Sequence, residues 1–494
     1  MGRMDTRTRI ASLAALTALM AVVACGGGDG GTPAAAPSPS PAPAPAPSPG
    51  TPVATLTAPA AFSAGLTGSV PLAATATDDV SVASVEFQVD GATLSTTTTA
   101  PYAANVYTTQ YASGQHVVRV RAFDGAGTPS AWSSATVSFG GSRTQPAGFT
   151  RNASWITGLS SATAIAQAPD GRMFVTQQGG ALRVVTAGGS LVSTPATTLT
   201  VDSSGERGLL GVAVHPSFAS NGYIYLYYTT PNDGTHNRIS RFTLSPPTSN
   251  TVSAGTEVPL VELPALSSAT NHNGGALHFG ADGKLYVGVG ENANGANSQS
   301  FATRLGKVLR YNDDGTIPAD NPFMATTTGD NQAIWAMGLR NPFTFAVQPG
   351  SGTIYINDVG QSTWEEINLG TAGANYGWPN SEGPDNLTSA YTGPVFTYNH
   401  NPTSPAGSGP GGFFTGIAII GGAFYPNSGP FPAAYRGSYF FADLGSEFVA
   451  RYDTANNAAY SFGALSDAPV GMTTGLDGAL YVLTQSGITR FSAP

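Results

Sequence analysis

The sequence predicts an all-β molecule, a six-bladed β-propeller preceded by a smaller β-sandwich. Three observations predict it. A short phrase recurs six times after residue 147: a turn residue, Gly, any residue, then apolar and aromatic residues. Long helical periodicities are absent. Gly (62) and Pro (37) are plentiful while charged residues make up only 10% of 494, the composition of a chain that turns often between short strands.

In chain order, the first 25 residues read as an export signal. Arg3, Arg7 and Arg9 form a basic start, and Ile10 to Ala24 is an apolar run ending in small residues. That run is short for a membrane span. Its end, Val22-Val23-Ala24-Cys25, resembles a lipobox, in which the Cys is lipidated and becomes the mature N-terminus. Cys25 is the only Cys of the chain, so no intrachain disulfide framework exists. The expectation is an exported protein, lipid-anchored to the bacterial outer membrane on its periplasmic or cell-surface face, without a spanning helix. Residues 26–52 are Gly and then Pro-Ala-Ser repeats, a semi-rigid stalk that buries nothing.

Residues 53–141 change character. Val85-Glu86-Phe87-Gln88-Val89 alternates before the turn Asp90-Gly91, and His116 to Ala122 alternates before Asp124-Gly125. Several such strands over roughly 90 residues predict a β-sandwich. The string from Asp78-Asp79-Val80 to Asp90-Gly91, with Pro101-Tyr102 and Gly114-Gln115-His116, resembles bacterial Ig-like domains. No catalytic cluster falls here. His116 reads as a strand residue, and the module as a spacer or a weak carbohydrate or adhesion unit.

Residues 147–494 hold the six phrases. They are Asp170 to Val175, Asn221 to Leu226, Asp282 to Val287, Ser351 to Ile356, Arg436 to Phe441 and Asp477 to Val482. Each is a tight turn feeding a buried strand. Roughly 57 residues per unit leave room for uneven loops, and a ring of sheets with no long free edge satisfies the pattern. Ligand sites in such a ring lie at one mouth of the central channel.

The stretch Asn271-His272-Asn273-Gly274-Gly275 stands out. An imidazole among amides and glycines, with Glu291 beyond the following strand, has the makings of a general base with a partner acid. Its plain structural role would be to cap the loop by hydrogen bonding. Of the other histidines, His215 reads as a packing residue in a turn, and His236 and His400 as loop residues able to face the mouth. Tyr376 and Trp378 suit either sugar stacking or blade packing. A formal net charge of −9 and the lack of a basic cluster argue against nucleic acid as a partner.

Five ordered signatures then carry a family likeness. They are Gly205-Glu206-Arg207-Gly208-Leu209-Leu210-Gly211 with His215-Pro216; Asn271 to Gly275 with Asp282-Gly283; Leu305 to Arg310 with Ile317 to Phe323; Gly338-Leu339-Arg340-Asn341-Pro342 with Asp358 to Gln361 and Trp364 to Asn368; and Asn375-Tyr376-Gly377-Trp378-Pro379. Together, over about residues 150 to 490, they resemble the glucose/sorbosone dehydrogenase family, the soluble pyrroloquinoline quinone (PQQ)-dependent aldose dehydrogenases. The resemblance implies oxidation of an aldose at its C1 hydroxyl to a lactone, with hydride transfer to a calcium-bound quinone and electrons passed to an unnamed acceptor. By position His272 matches the base and Glu291 its partner, where the family has Asp. Arg340 and Asn341 match quinone contacts, Glu206 and Asn271 lie where they could meet cofactor or substrate, and the backbone carbonyls of Gly360 and Gln361 match calcium ligands, as suits a hard cation.

The chain departs from the family where cations should pair with the three PQQ carboxylates. The Lys position falls near Gly445 and the two Arg positions near Ala468 and Val470, while Asp443 and Glu447 add negative charge nearby. Arg451 and Arg490 are possible substitutes that read better as strand residues. Carboxylates buried without partners are costly. Three readings therefore stand: PQQ-dependent oxidation, another calcium-assisted reaction on sugars or lactones, or a non-enzymatic carbohydrate-binding propeller.

Overall fold

A computed structural model describes residues 50–494 apart from 62, 64–65, 112–113, 141–144, 401–413 and 456. The export signal, Cys25 and the stalk to residue 49 lie outside the described residues.

Six four-stranded antiparallel sheets make the ring. Their inner strands are Ala162–Gln167, Leu209–Val214, Leu277–Phe279, Thr344–Val347, Ile419–Phe424 and Pro469–Thr474, and each packs on the next until the sixth meets the first. The recurring phrases supply the second strand of every blade: Met173–Gln177, Tyr223–Thr230, Leu285–Val289, Ile354–Asp358, Tyr439–Asp443 and Leu480–Thr484. Almost every residue of these second strands is buried. With both faces covered by neighbouring blades, a near-continuous apolar run is the stable solution.

Blade six is closed by an early segment. Its outer strand is Thr150–Thr157, paired with Gly487–Ser492. One sheet thus joins both ends of the propeller, and no free edge remains between last blade and first. Phe149, just before this strand, lies edge-on to Phe431, Tyr435 and Phe462 of blade five.

The antiparallel order sorts the loops. Links from an outer strand to the next inner strand, and from second to third strand, share one end of the ring; the others share the far end. Glu206, His272, Glu291, Arg340, Asn341, Gly360 and Gln361 all fall in links of the first kind, which defines the mouth. Thr150–Thr157 runs from the far end toward it.

The Ig-like sandwich packs a sheet of Val53–Ala58, Ser69–Thr77 and Tyr102–Tyr107 against one ordered Ala92–Thr97, Val82–Val89, Gly114–Asp124, Ser133–Phe139. Leu72, Val85, Phe87, Val106, Val118 and Val120 form its core. His116 is a strand residue whose Nδ1 lies 2.6 Å from Asp90 Oδ2. The sandwich touches blade five: a Cβ at Gly91 would come within 2.8 Å of the Tyr460 hydroxyl.

Candidate functional site

His272 sits in the left-handed region, φ 56°, a conformation a non-glycine residue keeps only where its surroundings hold it. They do. Its N–H donates to Glu206 Oε2 at 2.7 Å, and its carbonyl accepts the Asn292 N–H at 3.1 Å. Gly290 lets the two segments meet, since a Cβ there would lie 2.2 Å from the His272 oxygen. The imidazole is buried, and Nδ1 lies 2.8 Å from Glu291 Oε1. Glu291 is fixed in turn: Oε2 accepts the Asn294 N–H at 2.7 Å, and its own N–H donates to the Arg340 carbonyl at 2.9 Å. With the carboxylate taking a proton on Nδ1, Nε2 is left as the acceptor, and it makes no hydrogen bond among the described residues.

The loop behind Glu291 rests on Lys307, whose Nζ donates to the carbonyls of Asn297, Ser298 and Leu305 at 2.7–3.0 Å. Burial pushes this amine down to about 7. Asn297 Nδ2 passes the support on to the Glu291 carbonyl.

Arg340 and Asn341 are oriented by one carboxylate. Asp358 Oδ2 accepts the Arg340 N–H at 2.9 Å and Oδ1 the Asn341 N–H at 2.7 Å. Full burial, with Glu366 nearby, raises the Asp358 pKa well above the usual range. Asn341 Oδ1 accepts the Gly274 N–H at 3.0 Å, so this side chain braces the histidine loop. Arg340 Nη1 donates to the Val359 carbonyl at 2.9 Å, while among the described residues Nε is buried without a partner and Nη2 makes no hydrogen bond. Its guanidinium lies 5.7 Å from the centre of the Trp378 ring, whose Nε1 is also buried and unpaired. Val359 leads directly into Gly360 and Gln361.

His272, Glu291, Arg340 and Asn341 are thus one hydrogen-bonded unit, with the carbonyl pair beside it. Glu206 belongs to it through the His272 backbone, while the Asn271 side chain makes no hydrogen bond among the described residues. Other readings change. His236 is the first residue of a strand, His236–Thr243, not a loop residue, and it binds Glu262 at 2.6 Å. His400 lies 2.6 Å from Glu365; burial lowers its pKa, but that carboxylate raises it on balance. Tyr376 is a packing residue, its hydroxyl on the Leu369 carbonyl.

On blade five, beside Tyr398 of blade four, Asp443 adds no open charge. It is fully buried and accepts N–H groups of Ile417, Ala418, Gly445 and Ser446 and the Tyr398 hydroxyl. Burial, with Glu365 nearby, raises it to about 6. Arg451 and Arg490 are no substitutes for the cations. Arg451 is held by Asp453 and by the rings of Tyr435 and Tyr460, Arg490 by Asp477 and Tyr481. Ala468 and Val470 are buried.

The unpaired Arg340 nitrogens provide the fit test. A buried guanidinium with Nε and Nη2 unspent has donors left for the oxygens of a quinone, so the residues present fit that end of PQQ. Among the described residues no three His, Cys, Asp or Glu side chains are placed to hold a metal, so a cation here relies on backbone oxygens.

Comparison with known proteins identifies the family of each domain. The glucose/sorbosone dehydrogenase family model matches residues 159–491, and a bacterial Ig domain model matches 52–120. Aldose sugar dehydrogenase YliI of Escherichia coli is 31% identical over 343 residues, 65% of this chain and 86% of that protein. Quinoprotein glucose dehydrogenase B of Acinetobacter calcoaceticus is 32% identical over 257 residues, 46% of this chain and 52% of that one. The PQQ-bound aldose sugar dehydrogenase of Streptomyces coelicolor superimposes with a TM-score of 0.56 at 25% identity, covering 71% of this chain and all of that one.

Proposed function

This chain belongs to the glucose/sorbosone dehydrogenase family, and on that footing we propose that it oxidises an aldose at the C1 hydroxyl to the lactone. The observation that carries the reading is the His272–Glu291 pair joined to an Arg340 with unspent donors. Arg340 would meet the quinone oxygens, and the Gly360 and Gln361 carbonyls would hold calcium. When bound, PQQ supplies a hydride acceptor and calcium polarises it.

The chain's own residues do the rest. His272 Nε2 takes the proton from the C1 hydroxyl. Glu291 fixes the tautomer that leaves Nε2 basic and stabilises the imidazolium that forms. Asp358 holds the backbone on which Arg340 and Asn341 stand, and the buried loops keep water from the reacting atoms. Electrons then leave to an external acceptor. The exported, lipid-anchored placement is part of the proposal. A lipid on Cys25 would tether the N-terminal side, and because the chain enters the ring at its far end, the mouth would face away from the membrane.

A second reading has one observation in its favour: among the described residues no Lys or Arg stands at the three positions where the family pairs the PQQ carboxylates. In that reading the mouth binds carbohydrate without turning it over. One experiment separates the two. Purified chain is supplied with PQQ and calcium and offered a panel of aldoses with an electron-accepting dye. Dye reduction is expected; no dye reduction and no change in quinone absorbance would leave only the binding protein.

A further inference from the structure

The segment bearing the two carbonyls has its own support. Oε1 of Glu382 accepts the N–H of Gln361 at 2.7 Å, Ser362 at 3.3 Å, Thr363 at 3.4 Å and Trp364 at 3.4 Å. Successive N–H groups converging on one anion make a nest. Two more acids complete the frame: Glu365 Oε2 accepts the Gly360 N–H at 3.3 Å, and Asp385 Oδ2 accepts Trp364 Nε1 at 2.8 Å. The turn is tight enough that a Cβ at Gly360 would fall 1.6 Å from the Trp364 carbonyl oxygen and 3.0 Å from Glu382 Oε1.

Glu382 reaches this place by a detour. The link between Trp364–Gly370 and Phe396–Asn399 starts at the far end of the ring and climbs to the mouth, where Trp378 meets Arg340 and Glu382 meets the segment. The arrival is fixed, because the Gly383 N–H donates to Glu366 Oε1 at 2.5 Å. With the segment's N–H groups drawn toward Glu382, the carbonyl oxygens of Gly360 and Gln361 accept no hydrogen bond among the described residues.

We propose that Glu382 is a positioning residue for the cation: its carboxylate gathers the N–H groups of residues 361–364 and so presents the Gly360 and Gln361 carbonyls to calcium. This rests on the proposed calcium site and adds the device that shapes it. Glu382 acts here as a hydrogen-bond acceptor, not as a ligand.

The test measures cation uptake by the chain without PQQ, by calcium calorimetry and by terbium luminescence excited through tryptophan. Glu382→Ala is expected to weaken both cations at least about tenfold, the usual cost of losing a group that orients a metal's ligands. Glu382→Gln, whose amide oxygen still accepts, is expected to retain most of the affinity. If the Ala variant does not fold, Glu382→Asp, with its carboxylate drawn back by one methylene, is expected to show the same loss. Unchanged affinity in Ala or Asp would overturn the role. So would a Gln variant as weak as Ala, which would make the charge itself the contributor. A wild-type chain that takes up no cation would remove the calcium site itself, and this role with it.

Discussion

Around blades three and four, with Glu206 reaching in from the link before blade two, most side chains at the mouth are braced by another. Glu206 holds the His272 backbone, Glu291 its ring, Lys307 the loop behind Glu291, and Asp358 the backbone of Arg340 and Asn341. Along blades five and six the wall is quiet: Asp443 is consumed by four N–H groups and a tyrosine, Ala468 and Val470 are apolar, and Arg451 and Arg490 are tied down by blade partners. On the proposed function, the difference teaches that the residues that would move a proton and the wall that would grip an anionic cofactor are built separately. One can be over-determined while the other is sparse.

The largest break in that contrast should come from Arg340. Arg340→Leu removes the donors left for developing negative charge, and turnover should fall about 10²–10³-fold, measured as dye reduction at saturating PQQ. A wild-type rate would move the electrostatic work elsewhere. Glu291→Gln should come next. Its amide can still accept from Nδ1, but the charge that stabilises the imidazolium is gone, so turnover should fall by roughly 10² while PQQ uptake holds.

A substitution on the quiet side should sharpen the contrast. Gly445→Lys adds a cation at an exposed position near which the family resemblance sets one; it should tighten PQQ binding by about tenfold and leave the saturated rate alone. A change in rate without a change in affinity would show that the two sides are not separable.

The smallest effect is on stability. Burial, with Asn368 and the Gly383 N–H opposing it, raises Glu366 to about 7. A carboxyl raised in the fold contributes most below its unfolded value and loses that contribution as pH climbs through its folded one. In calcium-free buffer the folding stability should therefore fall between about pH 4.5 and 7, by on the order of 3 kcal/mol for this group, and the melting temperature should fall with it. Glu366→Gln should flatten the drop because it removes the titrating carboxyl; Asn368, which now donates Nδ2 to Glu366, can turn its Oδ1 to accept from the new amide. An unchanged pH profile would contradict this.

Much of the ring was legible in the sequence because its signal is local. Each second strand follows a Gly-containing turn and is buried on both faces, and both features are written in consecutive residues. His272 and Glu291 were legible for the same reason, standing at either end of one short hairpin. What escaped depends on contacts between distant segments. Nothing near Thr150 announces that its strand completes a sheet with residue 492, and nothing near Glu382 announces four N–H groups about twenty positions earlier. His236 was misplaced because Gly234 signals a turn, yet the strand begins only two residues later. Asp443 was read as open charge because sequence shows a carboxylate without the five donors that enclose it.

The most direct measurement is a single turnover. Wild type and His272→Gln are each loaded with PQQ and calcium to equal occupancy, an aldose is mixed in, and the quinone absorbance is followed. If His272 is the base, wild type reduces its quinone and the Gln variant does so at least about 10²-fold more slowly. Equal rates at equal occupancy would contradict the account.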